Sequence, residues 1–131
     1  MAKIRVVLAD DYQPLVARVR ETLGEEFEVV ATTENGNQAV DAVLRLDPDV
    51  LVIDIAMPVL DGLQAAKQLQ KLDCQARIVF LTMHKGQDFV TAAFAVGACA
   101  YVIKSRLTTD LVRAIREAML GHIFVSPTLK M

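Results

Sequence analysis

VLVIDIAMPVLDG, residues Val50–Gly62, sets four consecutive branched aliphatic side chains directly ahead of a carboxylate. A run this short and this uniformly apolar reads as a strand buried on both faces, the habit of parallel sheets. Asp54 breaks the apolar run that continues to Ala56. A charge there is expensive unless something pairs with it, so Asp54 is a candidate functional group.

Working outward, four more short runs have the same character: Ile4–Ala9, Val29–Ala31, Ile78–Leu81 and Tyr101–Ile103. Helical spacing fills the gaps. Leu15, Val16, Val19 and Leu23 share one face, as do Ala39, Val40, Val43 and Leu44, and Leu111, Ile115, Ala118 and Met119 follow the same rule. Phe89–Val96 is apolar nearly all round and is the weakest of the helical signals. Pro14 suits a helix start, Asn35, Asp61 and Thr108 suit N-caps, and Gly24 and Gly121 suit helix ends. Asp47-Pro48 stops the second helix before a strand. Five strands alternating with five helices predict an α/β fold, an open, doubly wound, five-stranded parallel sheet. Eight strands would be needed for a closed barrel.

Composition bounds the reading. At 131 residues the chain is one domain, and its apolar share of 53% is enough for a core. Fourteen basic against sixteen acidic side chains give a net charge of −2, unlike the basic balance of a nucleic-acid module. The longest mostly apolar run, Ala92–Ile103, falls short of the roughly 18 residues of a membrane span. Only Val6–Ala9 follows Lys3 and Arg5 before two aspartates, too little for an export signal, so a cytoplasmic location without membrane contact is expected. Cys74 and Cys99 lack metal or disulfide spacing and read as reduced, partly buried thiols. His84 and His122 show no ligand spacing, and Met57 and Met83 read as packing residues.

Four of the five strands run into a polar residue: Asp10-Asp11, Asp54, Thr82 and Lys104. Doubly wound sheets bind ligands beyond the carboxyl ends of their strands, so these side chains are expected to converge. Taken singly, Asp10 or Asp11 is a common turn residue, Thr82 suits a strand, and Lys104 suits a solvated surface. Jointly they describe a phosphoryl site. Three carboxylates need a counter-charge, which a hard divalent cation such as Mg2+ supplies, and Lys104 adds a second. A free aspartate there can attack phosphorus and become an aspartyl phosphate.

With those positions in hand, the chain resembles a receiver domain of a bacterial two-component response regulator. The likeness rests on VVLADD at Val6–Asp11, VIDIAMPVLDG at Val52–Gly62, VFLTM at Val79–Met83 and AYVIKS at Ala100–Ser105. It covers essentially residues 3–125, with the receiver placed at 1–125 and a linker or tail beginning at 126–131. The resemblance implies a flavodoxin-like strand order 2-1-3-4-5. It implies that Asp54 accepts a phosphoryl group from a sensor histidine kinase. Asp11, Asp54 and the backbone carbonyl of Ala56 would ligate Mg2+, with Asp10 acting mainly through a bound water. Lys104 and Thr82 would bind the phosphoryl oxygens, and Tyr101 would swing inward as Thr82 shifts. Met57-Pro58 and Asp61-Gly62 would shape the loop after Asp54. The lifetime of the phosphoform is expected to be set partly by Ala56 and His84. The protein is expected to be a signalling phosphoacceptor, not an enzyme, that assists its own phosphotransfer and slow dephosphorylation.

LTMHKG at Leu81–Gly86, IKS at Ile103–Ser105 and GHIFVSP at Gly121–Pro127 are similar to LuxR/NarL-type transcription factors, which carry a helix-turn-helix domain after a linker. The sequence stops at Met131, before such a domain, so it reads as an excised receiver, with a single-domain regulator as the alternative. By itself it is not expected to bind DNA. Homodimers would form through the face of the fourth helix, fifth strand and fifth helix, or through the first and fifth helices. An aspartyl-nucleophile phosphohydrolase is the competing class. It wants a second aspartate two residues after the nucleophile, where this chain has Ala56.

Overall fold

Val50–Ile53 forms strand β3 and is covered on both faces, as its side chains require. In the computed structural model, which describes residues 2–127, it pairs with two parallel neighbours near the middle of a sheet. The other strands are β1 (Ile4–Ala9), β2 (Phe27–Thr33), β4 (Arg77–Thr82), β5 (Ala98–Ile103) and β6 (Phe124–Val125). The helices are α1 (Gln13–Leu23), α2 (Gly36–Leu46), α3 (Gly62–Lys71), α4 (Gln87–Ala95) and α5 (Leu107–Met119). Lys104–Arg106 makes one 3₁₀ turn between β5 and α5.

The strand order is β2-β1-β3-β4-β5-β6 and every pairing is parallel. The doubly wound α/β architecture therefore stands, and the count of five strands is corrected to six among the described residues. Two residues of β6 pair alongside Ala100 and Tyr101 of β5. A pair of residues carries no readable periodicity, which is why the sequence did not announce it.

Alternation along β1 divides the core. Val6 and Leu8 join Leu15, Val19, Leu111 and Ile115 on the face covered by α1 and α5. Val7 and Ala9 join Ala39, Val43, Leu69 and Ala93 on the face covered by α2, α3 and α4. Each fully buried aliphatic side chain contributes about 2 kcal/mol by leaving water. The chain leaves β1 toward β2 and returns past it to β3, so the order reverses between β1 and β3. A crevice opens at such a reversal, beyond the carboxyl ends of both strands.

Local signals held at most helix ends. Asn35 Oδ1 accepts from the Gln38 N–H at 2.9 Å, and Asp61 Oδ1 from the Gln64 N–H at 2.8 Å. Asp47 ends α2 in the left-handed conformation, with φ 48°. Thr108 is not a cap: the 3₁₀ turn feeds straight into α5, which starts at Leu107. The apolar face of α2 also differs from the expected one. Ala42 is buried and Leu44 exposed, because the small residues Ala39 and Ala42 let the helix sit close to the sheet. No helix among the described residues is long and apolar enough to cross a membrane.

Candidate phosphoryl-accepting site

Asp54 is held by its backbone before its side chain does anything. Its N–H donates to the Ala9 carbonyl at 3.0 Å, extending the β1–β3 ladder by one step. Asp10 does the same toward Thr33 at 3.0 Å. The loop after Asp54 then folds back, with the Gly62 N–H donating to the Ile55 carbonyl at 2.8 Å. A Cβ on Gly62 would lie 2.0 Å from the Asp54 carbonyl oxygen, so only glycine permits this approach.

Asp10 and Asp54 are each 6% exposed and both face one ammonium. Lys104 Nζ lies 2.8 Å from Asp10 Oδ2 and 2.8 Å from Asp54 Oδ2. The other oxygen of Asp10 accepts the Tyr12 N–H at 2.9 Å. The other oxygen of Asp54, Oδ1, is buried without a hydrogen-bond partner. Two carboxylates against one ammonium leave a net negative charge out of water. Burial pushes the Asp10 carboxyl above its usual range, against the Lys104 and Tyr12 hydrogen bonds that pull it down. Burial alone would lower Lys104, but its bonds to Asp10 and Asp54 outweigh that and raise it.

Thr82, at the end of β4, is fully buried and its Oγ1 accepts the His84 N–H at 3.3 Å. The Tyr101 hydroxyl donates to the His84 carbonyl at 2.8 Å. Tyr101 is thus already inward, its ring fully buried and tilted against Phe80. Its phenol is pushed up to about 12, first by burial and then by the Asp54 charge. The His84 ring stacks on Phe89 of α4, with centroids 4.2 Å apart.

Asp11 is exposed on the rim, where a cleft of about 600 Å³ is lined by Asp10, Asp11, Tyr12, Arg18, Met83 and Lys104, among others. Met83 is 74% exposed and forms this rim instead of packing inside, because β4 leaves the core after Thr82. Ala56 is exposed in the loop after Asp54. The structure therefore joins Asp10, Asp54 and Lys104 directly, and Thr82, His84 and Tyr101 as a second group. Among the described residues, no three His, Cys, Asp or Glu side chains close around a common point as metal ligands. The donor set still suits a hard cation: oxygen ligands, excess negative charge, and a buried carboxylate oxygen without a donor.

Sequence reasoning passed over three contributors. The Tyr12 N–H fixes Asp10, and nothing in the sequence marks a main-chain donor. Asp110 and Ser126 are buried at the foot of the Lys104 turn. Asp110 was legible, since Leu107, Asp110, Leu111 and Ala114 share one apolar helical stripe on which a carboxylate is out of place.

Residues 6–116 match the family profile described as response regulator receiver domain. The chain is 34% identical over 128 residues to the transcriptional regulatory protein YvfU of Bacillus subtilis, covering 96% of this chain and 64% of that protein. It is 34% identical over 119 residues to the chemotaxis protein CheY of Halobacterium salinarum, covering 91% of this chain and 98% of that one. Among solved structures, a LuxR-family two-component response regulator from Aurantimonas superposes with TM-score 0.92 at 31% identity, covering 97% of this chain and 92% of that chain. The chain thus spans a little over half to about two thirds of the transcriptional regulators it matches, 54% for DegU of Brevibacillus brevis.

Proposed function

The chain belongs to the response regulator receiver domain family, and from that premise we propose that Asp54 is its phosphoacceptor. Receiver domains are signalling proteins, and this one has LuxR/NarL-type relatives. The observation that carries the proposal is the Lys104 bridge to Asp10 and Asp54, with Asp54 Oδ1 buried and unpartnered beside it.

The donor is a phosphohistidine on a sensor kinase. An Asp54 oxygen attacks phosphorus as the bond from phosphorus to the imidazole nitrogen breaks, and the electron pair leaves with that nitrogen. Asp11, Asp54 and the Ala56 carbonyl would hold Mg2+, with Asp10 acting on it less directly. When bound, Mg2+ supplies the positive charge that the transferring oxygens need. Lys104 releases one of its two carboxylates and pairs with the phosphoryl oxygens. Thr82 exchanges the His84 N–H for a bond to the same oxygens.

The phosphoform then shifts a two-state balance in which Thr82 and the His84 peptide move, while Tyr101, already inward in this structure, is held there by its bond to the His84 carbonyl. Full reversal of such a balance takes about 5 kcal/mol of preference for one state. Ala56 and His84 partly set the lifetime of the acyl phosphate, and Ala56→Asn is expected to change its hydrolysis rate. The output is transcription through a helix-turn-helix domain outside this sequence, with dimers through α4, β5 and α5 or through α1 and α5. That work places the protein in the cytoplasm. A stand-alone receiver acting by protein contact is the second reading, favoured by the coverage of 98% of a chemotaxis protein. The receiver occupies residues 1–125 in either case.

The test is chemical. Incubation with acetyl phosphate and Mg2+ should yield a phosphate that hydroxylamine releases, as it does from acyl phosphates. Chelation of Mg2+ should prevent its formation. Phosphate that resists hydroxylamine would overturn the assignment to a carboxylate.

A further inference from the structure

Lys104 is clamped from both sides in sequence by residues that never touch a phosphoryl group. On its N-terminal side, the Ile103 N–H donates to Ser126 Oγ at 3.1 Å. Two residues after Lys104, Arg106 grips Asp110 with Nε to Oδ2 at 2.7 Å and Nη2 to Oδ1 at 3.2 Å. Ser126 closes the ring, its hydroxyl donating to Asp110 Oδ2 at 2.9 Å. Ser126 is 0% exposed and Asp110 3%. Both Asp110 oxygens and the Ser126 hydroxyl are paired, so the chain Ile103 N–H, Ser126 O–H, Asp110, Arg106 is directional and self-reinforcing.

Ser126 also continues β6, its N–H donating to the Tyr101 carbonyl at 3.0 Å. A longer parallel strand would next offer a main-chain carbonyl to Ile103. Here the serine side chain takes that place immediately before Pro127, which has no N–H to continue the ladder. Among the described residues, the hydroxyl is thus the last tie between the C-terminal segment and the strand end that carries Lys104.

We propose that Ser126 is a positioning residue for Lys104, and that through this tie the segment after β6 registers whether Lys104 faces two carboxylates or a phosphoryl group. The proposal rests on the phosphoacceptor reading above. Its physical basis is reciprocity: if the tie biases the posture of Lys104, a change at Lys104 must bias the tie equally. Tyr101 lies on the same path, since its carbonyl holds Ser126 while its hydroxyl holds His84.

The experiment compares wild type, Ser126→Ala and Ser126→Thr in the full chain. The readouts are phosphorylation rate with acetyl phosphate, Mg2+ affinity by calorimetry, and amide exchange at Ile103 and Ser126 with and without acetyl phosphate and Mg2+. Ser126→Ala is expected to slow phosphorylation about tenfold, the scale of a small misplacement of a reacting group. Mg2+ affinity should stay within about twofold, because Lys104 is not a metal ligand. Ser126→Thr keeps the hydroxyl on a strand-compatible residue and should restore most of the rate. In wild type, phosphorylation should change exchange at Ser126 severalfold. Equal rates in folded Ser126→Ala and wild type, or equal loss of rate and Mg2+ affinity, would overturn the proposal. Should Ser126→Ala fail to fold, unchanged exchange at Ser126 on phosphorylation of wild type would overturn it alone. A wild type that takes no phosphate at all overturns the phosphoacceptor reading, and the positioning role falls with it.

Discussion

Lys104 and Asp54 are fifty residues apart in sequence and 2.8 Å apart in the fold, on a bond that Lys104 shares with Asp10. The sheet order makes this possible, since β3 and β5 are separated only by β4 and end at the same edge. One ammonium serves two carboxylates, so the site keeps a net negative charge and a buried Asp54 oxygen without a donor. A hard divalent cation resolves both imbalances, since it offsets the charge and takes the bare carboxylate oxygen as a ligand.

Lys104→Met should therefore destabilise the protein by about 3 kcal/mol at neutral pH, because it strands two buried carboxylates. The sign of the pH dependence follows from Asp10. Its folded pKa is raised by burial, and loss of Lys104 removes the hydrogen bond and the positive charge that pull it down. The folded variant then binds more protons than the unfolded chain, so its stability should rise as pH falls from neutral toward the ordinary carboxyl value of 3.8. Mg2+ should raise its melting temperature more than that of wild type. Thermal melts across pH and Mg2+ concentration check all three.

In wild type the same lysine predicts an alkaline limb. The folded pKa of Lys104 is raised above 10.5, so its stabilisation is complete below that value and is lost as pH climbs through the folded pKa. Urea melts at increasing alkaline pH should show the loss in wild type and a shallower one in Lys104→Met.

Tyr101 offers a spectroscopic check. The absorbance difference between wild type and Tyr101→Phe during alkaline titration should place this phenol at about 12. Tyr101→Phe also deletes the bond to the His84 carbonyl and should cost about 1 kcal/mol in stability. A midpoint near 10 would mean that the ring is not buried beside Asp54.

Gly62→Ala places a methyl group 2.0 Å from the Asp54 carbonyl. The loop must move, at a cost of about 3 kcal/mol, and phosphate incorporation should fall with it. Equilibrium unfolding and the acetyl phosphate assay read the two effects separately.

Much of this is legible in the amino-acid sequence. The uniform apolarity of Val50–Ile53 marked a central parallel strand, and Asn35 and Asp61 announced their helices by cap chemistry. The convergence of Asp10, Asp54 and Lys104 was legible because each follows a buried strand, where a charge has to have a reason. The hidden parts share one physical cause: they depend on partners distant in sequence. Strand β6 exists only because β5 offers it an edge. Leu44 and Ala42 lie on neighbouring stripes of α2, and close approach to the sheet chose the smaller one. Ser126 looked like the start of a polar tail until Asp110 and Ile103 closed around it. The tail residues after 127 lie outside the described residues.

The most direct test of the central claim is intact-mass spectrometry of wild type and Asp54→Asn after incubation with acetyl phosphate and Mg2+. Wild type should gain the mass of one phosphoryl group, and Asp54→Asn, folded to the same degree, should gain none. Equal gain in both proteins, or none in wild type, would contradict the assignment of Asp54 as phosphoacceptor.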